Sequence, residues 1–294
     1  MTIPLRLSPI VSGMMHLAAW GLSAVERVEW VKSAVELGIT TFDHADIYGD
    51  YQCETLFGEV LAAEPGLRDH IQLITKCGIA LQSPNRPAHV VKHYNTTTEH
   101  ILASVARSLQ NLQTDTIDVL LIHRPDPLMN ADAVMQAFRQ LHEAGTVRHF
   151  GVSNFTPAQI DLLQSQLNAP LVTNQIQFSA LHRQPLHDGT LDHAQQHHYR
   201  PMAWSPLAGG RIFTGGDHTA NRVRDAIHTI AEQHTASPDQ VALAWLMMHP
   251  TRPIPVLGTG KLHRLRSAWA ALDLTLTRQQ WFRIWQASAG HEVP

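Results

Sequence analysis

Two periods take turns along this chain. Short runs alternate apolar and polar residues or are rich in β-branched side chains, and between them apolar residues recur at every third or fourth position. After a short start at residues 3–12, the strand-like runs are 10–17, 38–42, 71–75, 117–122, 147–152, 171–176, 200–204 and 253–257. The intervening segments read as helices. Residues 23–36 place Val25, Val28, Val31 and Val35 on one face, with Ser23 as N-cap and Gly38 just past the end. Residues 53–63 follow, then 98–112, with Ile101, Val105, Leu109 and Leu112 in register. Further helices are expected at 131–143 (ended by Gly145), from Thr156 to 167, at 190–198, 221–234 and 238–249, and a final one from near Leu262.

Strand and helix in strict alternation predict a parallel sheet, and eight such units predict closure into a (β/α)8 barrel of the TIM type. No linker, low-complexity stretch or composition break interrupts the alternation, so residues 1–294 are expected to form one domain. A doubly wound sheet would carry a glycine fingerprint after its first strand. Gly258-Thr259-Gly260 has His263 where that motif wants glycine, and it lies near the end of the chain.

Composition narrows the class. The chain is 44% hydrophobic and 16% charged with a net charge of −3, which gives no electrostatic case for nucleic acid or an acidic membrane surface. Two cysteines, Cys53 and Cys77, are too few for a disulfide scaffold and suit a reducing cytoplasm. Alternation turns Cys77 away from the barrel interior, as an inert structural thiol. There is no basic-then-apolar leader and no apolar run approaching membrane-spanning length, so neither secretion nor membrane insertion is expected.

Candidate chemistry sits at strand ends. Asp43 and Tyr48 lie in the segment Asp43-His44-Ala45-Asp46-Ile47-Tyr48-Gly49, Lys76 ends the run 71–75, and His123 ends the run 117–122. In a barrel, strands two, three and four are neighbours whose C-terminal ends open on the reactive face. A phenol with a pKa of about 10 is a sluggish acid near neutrality. An adjacent ammonium at Lys76 favours the phenolate, a carboxylate at Asp43 keeps the lysine charged, and His123 is suited to orient a carbonyl oxygen. Singly, each residue reads more readily as a cap, a surface charge, a packing aromatic or a loop residue; together they form the set that carbonyl reduction uses.

With those segments in view, the chain resembles the aldo-keto reductase family, in particular bacterial members of uncertain substrate. The likeness runs over residues 38–266. It includes Thr41 to Gly49, Thr75-Lys76, Leu121 to Pro125, Gly145 to Phe155, Asn174-Gln175, Trp204 to Leu207, and Gly258-Thr259 through Arg264-Leu265. It implies an NAD(P)H-dependent reductase of a small carbonyl compound, with Asp43, Tyr48, Lys76 and His123 catalytic and Tyr48 the proton donor. It further implies that Ser153, Asn154 and Gln175 hold the nicotinamide carboxamide. Trp204 then stacks on the ring, where the family often has tyrosine.

The residues themselves agree. A hydroxyl and two amides suit a neutral carboxamide, though Asn154 also reads as a helix cap. Ser205, Pro206, Leu207, Gly209 and Gly210 offer small residues and backbone donors to a pyrophosphate. Gly258, Thr259, Gly260, Lys261 and Arg264 form a phosphate site ahead of a helix. NADPH/NADP+ is the expected coenzyme, with NADH as the alternative. Gly258 departs from the lysine of many members, and Ser267-Ala268 from their Glu-Asn pair, which bears on adenosine binding.

Trp20, Ile47 and Tyr51 are the expected walls of the substrate pocket or, equally, core residues. His187, His193, His197 and His198, with Asp188 and Asp192, match no recognised ligand spacing, so no metal is expected. Two other functions stay open. One is a slow-turnover cofactor-binding redox sensor or regulatory subunit, which would carry an added N-terminal segment where this sequence starts close to its first strand. The other is a Schiff-base lyase with Lys76 as nucleophile, which leaves the carboxamide-like trio without a role.

Overall fold

The computed structural model describes residues 5–167 and 169–294; Ile3, in the expected opening segment, lies outside the described residues. Eight strands form a closed barrel: β1 (Val11–Gly13), β2 (Thr41–Asp43), β3 (Gln72–Cys77), β4 (Ile117–Ile122), β5 (Val147–Ser153), β6 (Asn174–Gln177), β7 (Met202–Trp204) and β8 (Ile254–Leu257). Their order around it is β1-β8-β7-β6-β5-β4-β3-β2. The ladders β1–β2, β2–β3, β3–β4, β4–β5, β6–β7 and β7–β8 are all parallel. Every residue of β4 is buried, as expected of a strand covered on both faces.

The chain divides into two compact units, Met1–Asn174 with Gly258–Gly260, and Gln175–Leu257 with Lys261–Pro294. In the first, Phe42 packs on Phe57 of helix Cys53–Ala63 and Phe138 stacks on Phe150 at 4.1 Å, so helices are fixed to the strands by aromatic contacts. In the second, the core gathers around Trp245, Phe178, Ile230 and Ile284. There Trp245 and Trp281 stack at 5.1 Å, and each indole N–H donates to the other's backbone carbonyl at 3.0 Å.

Helix starts follow cap chemistry. Ser23, Thr156 and Thr277 each form a reciprocal capping box, and Asn130 and Asp217 cap with single side chains. The buried face of helix Ala24–Glu36 is not the valine stripe. It is Arg27, Trp30, Val31 and Ala34, because Arg27 pairs with Glu59 and Trp30 packs on Trp20 at 4.7 Å; Val25 is 73% exposed. The helix after Thr156 stops at Gln164, and strand β6 starts at Asn174 rather than at 171. Leu262–Ala270 is not the last helix: Arg278–Ala289 follows, announced by the Thr277/Gln280 box. A two-residue antiparallel ladder, Ile79–Ala80 with His93–Tyr94, roots a long loop after β3. Among the described residues no helix is long and apolar enough to cross a membrane.

Candidate active site

The site is built where the parallel ladder runs past the strand ends. His44 N donates to Ile74 O (2.7 Å), Asp46 N to Lys76 O (3.0 Å) and His123 N to Cys77 O (2.8 Å). These bonds hold the C-terminal ends of β2, β3 and β4 side by side. On β3 the two-residue period sends Thr75 outward, where its hydroxyl donates to Glu54 Oε1 at 2.6 Å, and turns Lys76 the other way.

Lys76 is fully buried, and its ammonium has four oxygen neighbours: Asp43 Oδ1 (2.8 Å), Asp43 Oδ2 (2.7 Å), the His44 carbonyl (2.7 Å) and the Tyr48 hydroxyl (3.0 Å). Burial acts to lower the lysine pKa, but Asp43 and then Tyr48 outweigh it, and the net shift is upward. His123 is buried, its Nδ1 lacks a protein partner, and its ring meets Tyr48 edge-on at 5.8 Å. Burial first, then Lys76 and Arg124, hold its pKa well below the ordinary value, so the imidazole is neutral at neutral pH.

Tyr48 departs from the simple expectation. Lys76 does favour the phenolate, but burial outweighs it and the net shift is upward, so the phenol keeps its proton at neutral pH. Asp43 and Tyr48 thus meet at the Lys76 ammonium, and His123 joins them through its ring contact with Tyr48.

Two features went unread in the sequence. His44 is buried with both ring nitrogens unpartnered and lies edge-on to Phe57 at 4.6 Å. Burial and then Lys76 lower its pKa to about 3, leaving a neutral spacer whose backbone carbonyl serves Lys76. Behind β3, Asp46 and Glu54 are both buried acids. Burial and then the charge of Glu54 raise Asp46 to about 8; Glu54 is raised by burial. Cys77 is buried and free, with its pKa raised well above the ordinary value by burial and these acids, as an inert thiol should be. Glu54 beside an apolar helix face was the available signal.

The residues expected to hold a coenzyme take these positions. Ser153 ends β5, is buried, and accepts a hydrogen bond from Asn154 Nδ2 at 2.7 Å. Asn154 has a positive φ of 62°, and Thr156 rather than Asn154 caps the next helix. Asn174 braces this turn, accepting from Phe155 N at 3.3 Å and donating to Phe155 O at 2.9 Å. Gly260 lies against the indole of Trp20, and a Cβ there would come within 2.7 Å of the ring, so only glycine fits beneath that tryptophan.

In the second unit, Gln175 is buried in β6 beside Met202, and Trp204 ends β7 half-buried. Ser205, Ala208, Gly209 and Gly210 all have positive φ, which makes an irregular loop around Pro206 and Leu207 that presents backbone groups. Lys261 precedes helix Leu262–Ala270, and Arg264 is exposed in its first turn.

Of the expected pocket walls, Tyr51 has defined contacts: its hydroxyl accepts from Leu81 N at 2.9 Å and its ring lies under Arg86. Ile47 is half-buried on the same loop. In the histidine-rich segment, His193 and His197 have ring centroids 4.2 Å apart, and His193 Nδ1 lies 3.0 Å from the Tyr199 hydroxyl.

Comparison with known proteins identifies the family. The model of the Aldo/keto reductase family matches residues 9–289. The chain is 50% identical over 290 residues to Oxidoreductase YdhF of Escherichia coli, covering 98% of this chain and 96% of that one. It is 42% identical over 290 residues to a 6-dehydroglucose reductase of Agrobacterium fabrum, covering 98% and 97%. Among solved structures it is similar to the thermostable aldo-keto reductase Tm1743, crystallised with the inhibitor epalrestat. The TM-score there is 0.78 at 25% identity, over 97% of this chain and 95% of that one.

Proposed function

The chain belongs to the aldo/keto reductase family and is an NAD(P)H-dependent oxidoreductase, and from that premise we propose that it reduces aldehydes or ketones to alcohols with NADPH, Tyr48 supplying the proton. The observation that carries this reading is the Lys76 ammonium, bonded at once to both oxygens of Asp43 and to the Tyr48 hydroxyl. When bound, the coenzyme supplies a hydride to the carbonyl carbon. As negative charge grows on the carbonyl oxygen, Tyr48, which is protonated at rest, gives up its proton there. Lys76 steadies the phenolate left behind, and Asp43 keeps Lys76 charged in its buried setting. His123, neutral, orients the oxygen by a hydrogen bond. A lysine held charged by four oxygens is poorly suited to Schiff-base formation, which needs the free amine.

For the coenzyme, we assign Ser153, Asn154 and Gln175 to the carboxamide and Trp204 to the ring face. The segment Ser205-Pro206-Leu207 with Gly209 and Gly210, together with Gly258, Thr259 and Gly260, is assigned to the diphosphate, and Lys261 and Arg264 to the ribose phosphate that distinguishes NADPH from NADH. Trp20, Ile47 and Tyr51 are the assigned substrate walls. One relative is a 6-dehydroglucose reductase, which puts that sugar first among the carbonyl compounds to try. Two buried free thiols fit a cytoplasmic protein. The unit boundary after Asn174 falls inside strand β6, in keeping with one folding domain over residues 1–294. The test is NADPH oxidation, followed by absorbance, over a panel of carbonyl compounds that includes 6-dehydroglucose. Stoichiometric alcohol formation supports the reading, and no turnover on any member contradicts it.

A further inference from the structure

The three residues after Tyr48 all lie in the left-handed region: Gly49 (φ 57°, ψ 37°), Asp50 (φ 56°, ψ 51°) and Tyr51 (φ 67°). Gly49 is glycine on two counts, since a Cβ there would also come within 2.5 Å of Cys53 Sγ and 3.2 Å of Ala18 Cβ. Asp50 and Tyr51 have no such freedom. A side chain in this region is strained, and consecutive strained residues persist only where their surroundings over-determine them.

Those surroundings are supplied by the loop that leaves β3. Asn85 Nδ2 donates to the Asp50 carbonyl (2.9 Å) and to Asp50 Oδ2 (3.1 Å). Leu81 N donates to the Tyr51 hydroxyl (2.9 Å), and the Arg86 guanidinium lies 4.4 Å from the centroid of the Tyr51 ring. Arg86 Nη1 in turn donates to the Asn85 carbonyl at 2.8 Å, tying the two gripping residues together. The grip has a fixed base. Buried Ser83 accepts from Asn85 N through its hydroxyl (3.0 Å) and from Arg86 N through its carbonyl (2.9 Å), and the Ile79–Ala80/His93–Tyr94 ladder closes the loop at its root. The strand that carries Lys76 thus continues into a loop that holds the strained turn next to Tyr48.

We propose that Asn85 and Arg86 are positioning residues: they lock the left-handed turn 49–51 and, through it, set the Tyr48 hydroxyl against Lys76. Asn85 is exposed and Arg86 half-exposed, and substitutions at such positions are ordinarily close to neutral, so an effect on turnover is a sharp expectation. The inference rests on the proton-donor role of Tyr48 proposed above, and its test separates the two.

The variants are Asn85→Ala, Arg86→Ala, and Asn85→Ala combined with Asp50→Gly. Hydrogen–deuterium exchange over residues 48–52 of the intact protein is expected to speed up by about tenfold or more in both single variants, as the turn opens locally. Unchanged exchange overturns the proposal whatever the catalytic result. In carbonyl reduction, kcat is expected to fall roughly 10- to 100-fold, the scale of a small misplacement of a catalytic group, while the NADPH dissociation constant stays put. Asp50→Gly is expected to restore kcat in the Asn85→Ala background, because glycine occupies the left-handed region without the grip. In a Tyr48→Phe background, Asn85→Ala is expected to cost nothing further. An equal loss in both backgrounds, or a loss that Asp50→Gly fails to restore, overturns the positioning role. Wild-type turnover by Tyr48→Phe itself would instead remove the proton-donor reading, with exchange still deciding whether the loop holds the turn.

Discussion

Replacing Lys76 by methionine probes the buried charge at the centre of the site. The substitution keeps an unbranched apolar stem one atom shorter than lysine's and deletes four contacts of 2.7 to 3.0 Å, to Asp43 Oδ1, Asp43 Oδ2, His44 O and Tyr48 Oη. The main cost lies with the partner left behind, because Asp43 is 2% exposed and its carboxylate has lost its cation. Breaking a buried pair by removing one member costs about 3–5 kcal/mol. At about 2–4 °C per kcal/mol for a chain of this size class, the melting temperature should drop by roughly 6–20 °C. Thermal unfolding followed by circular dichroism is the assay. Asp43→Asn/Lys76→Met should recover most of the loss, since the stranded carboxylate is gone. A Lys76→Met protein melting within about 2 °C of wild type, less than ~1 kcal/mol on this scale, would refute the buried ion pair.

Two further outcomes follow from charges elsewhere. Asp46, raised to about 8 from an ordinary 3.8 by burial and the charge of Glu54, holds a proton in the folded protein that the unfolded chain releases. Its stabilising contribution is therefore fully present below the unfolded value and lost as pH rises through about 8, with a slope of up to about 1.4 kcal/mol per pH unit. Melting curves across that range should show Asp46→Asn gaining on wild type as pH rises, and parallel curves would contradict the assignment. Arg264→Ala should weaken NADPH binding roughly 10- to 150-fold, from a charged hydrogen bond worth about 1.5–3 kcal/mol, and weaken NADH binding far less; titrations showing equal losses would remove Arg264 from the phosphate site.

The barrel was legible because its signals are local and repeated. Periodicity alone located the helices Cys53–Ala63, Thr98–Leu112 and Ala131–Glu143 at their observed bounds. It misread the buried face of Ala24–Glu36, where the choice fell to partners distant in sequence, Glu59 and Trp20. Asp43, Tyr48, Lys76 and His123 were legible because strand ends in a barrel converge, so order along the chain stands in for proximity. The net direction of the Tyr48 shift was not legible, since it depends on how much burial opposes Lys76. Nor was the grip of Asn85 and Arg86, which needs the φ angles of residues 49–51, and nothing in Asp50 or Tyr51 as residue types announces a left-handed backbone.

The most direct test of the account is Tyr48→Phe, which removes one hydroxyl and leaves the ring that meets His123. Carbonyl-dependent NADPH oxidation should fall about 10²- to 10⁴-fold, the usual contribution of general acid catalysis. NADPH binding, measured by fluorescence titration, should stay within about twofold of wild type, because uniform binding of the coenzyme does not use that hydroxyl. A Phe variant that turns over several carbonyl compounds at the wild-type rate would contradict the account at its centre.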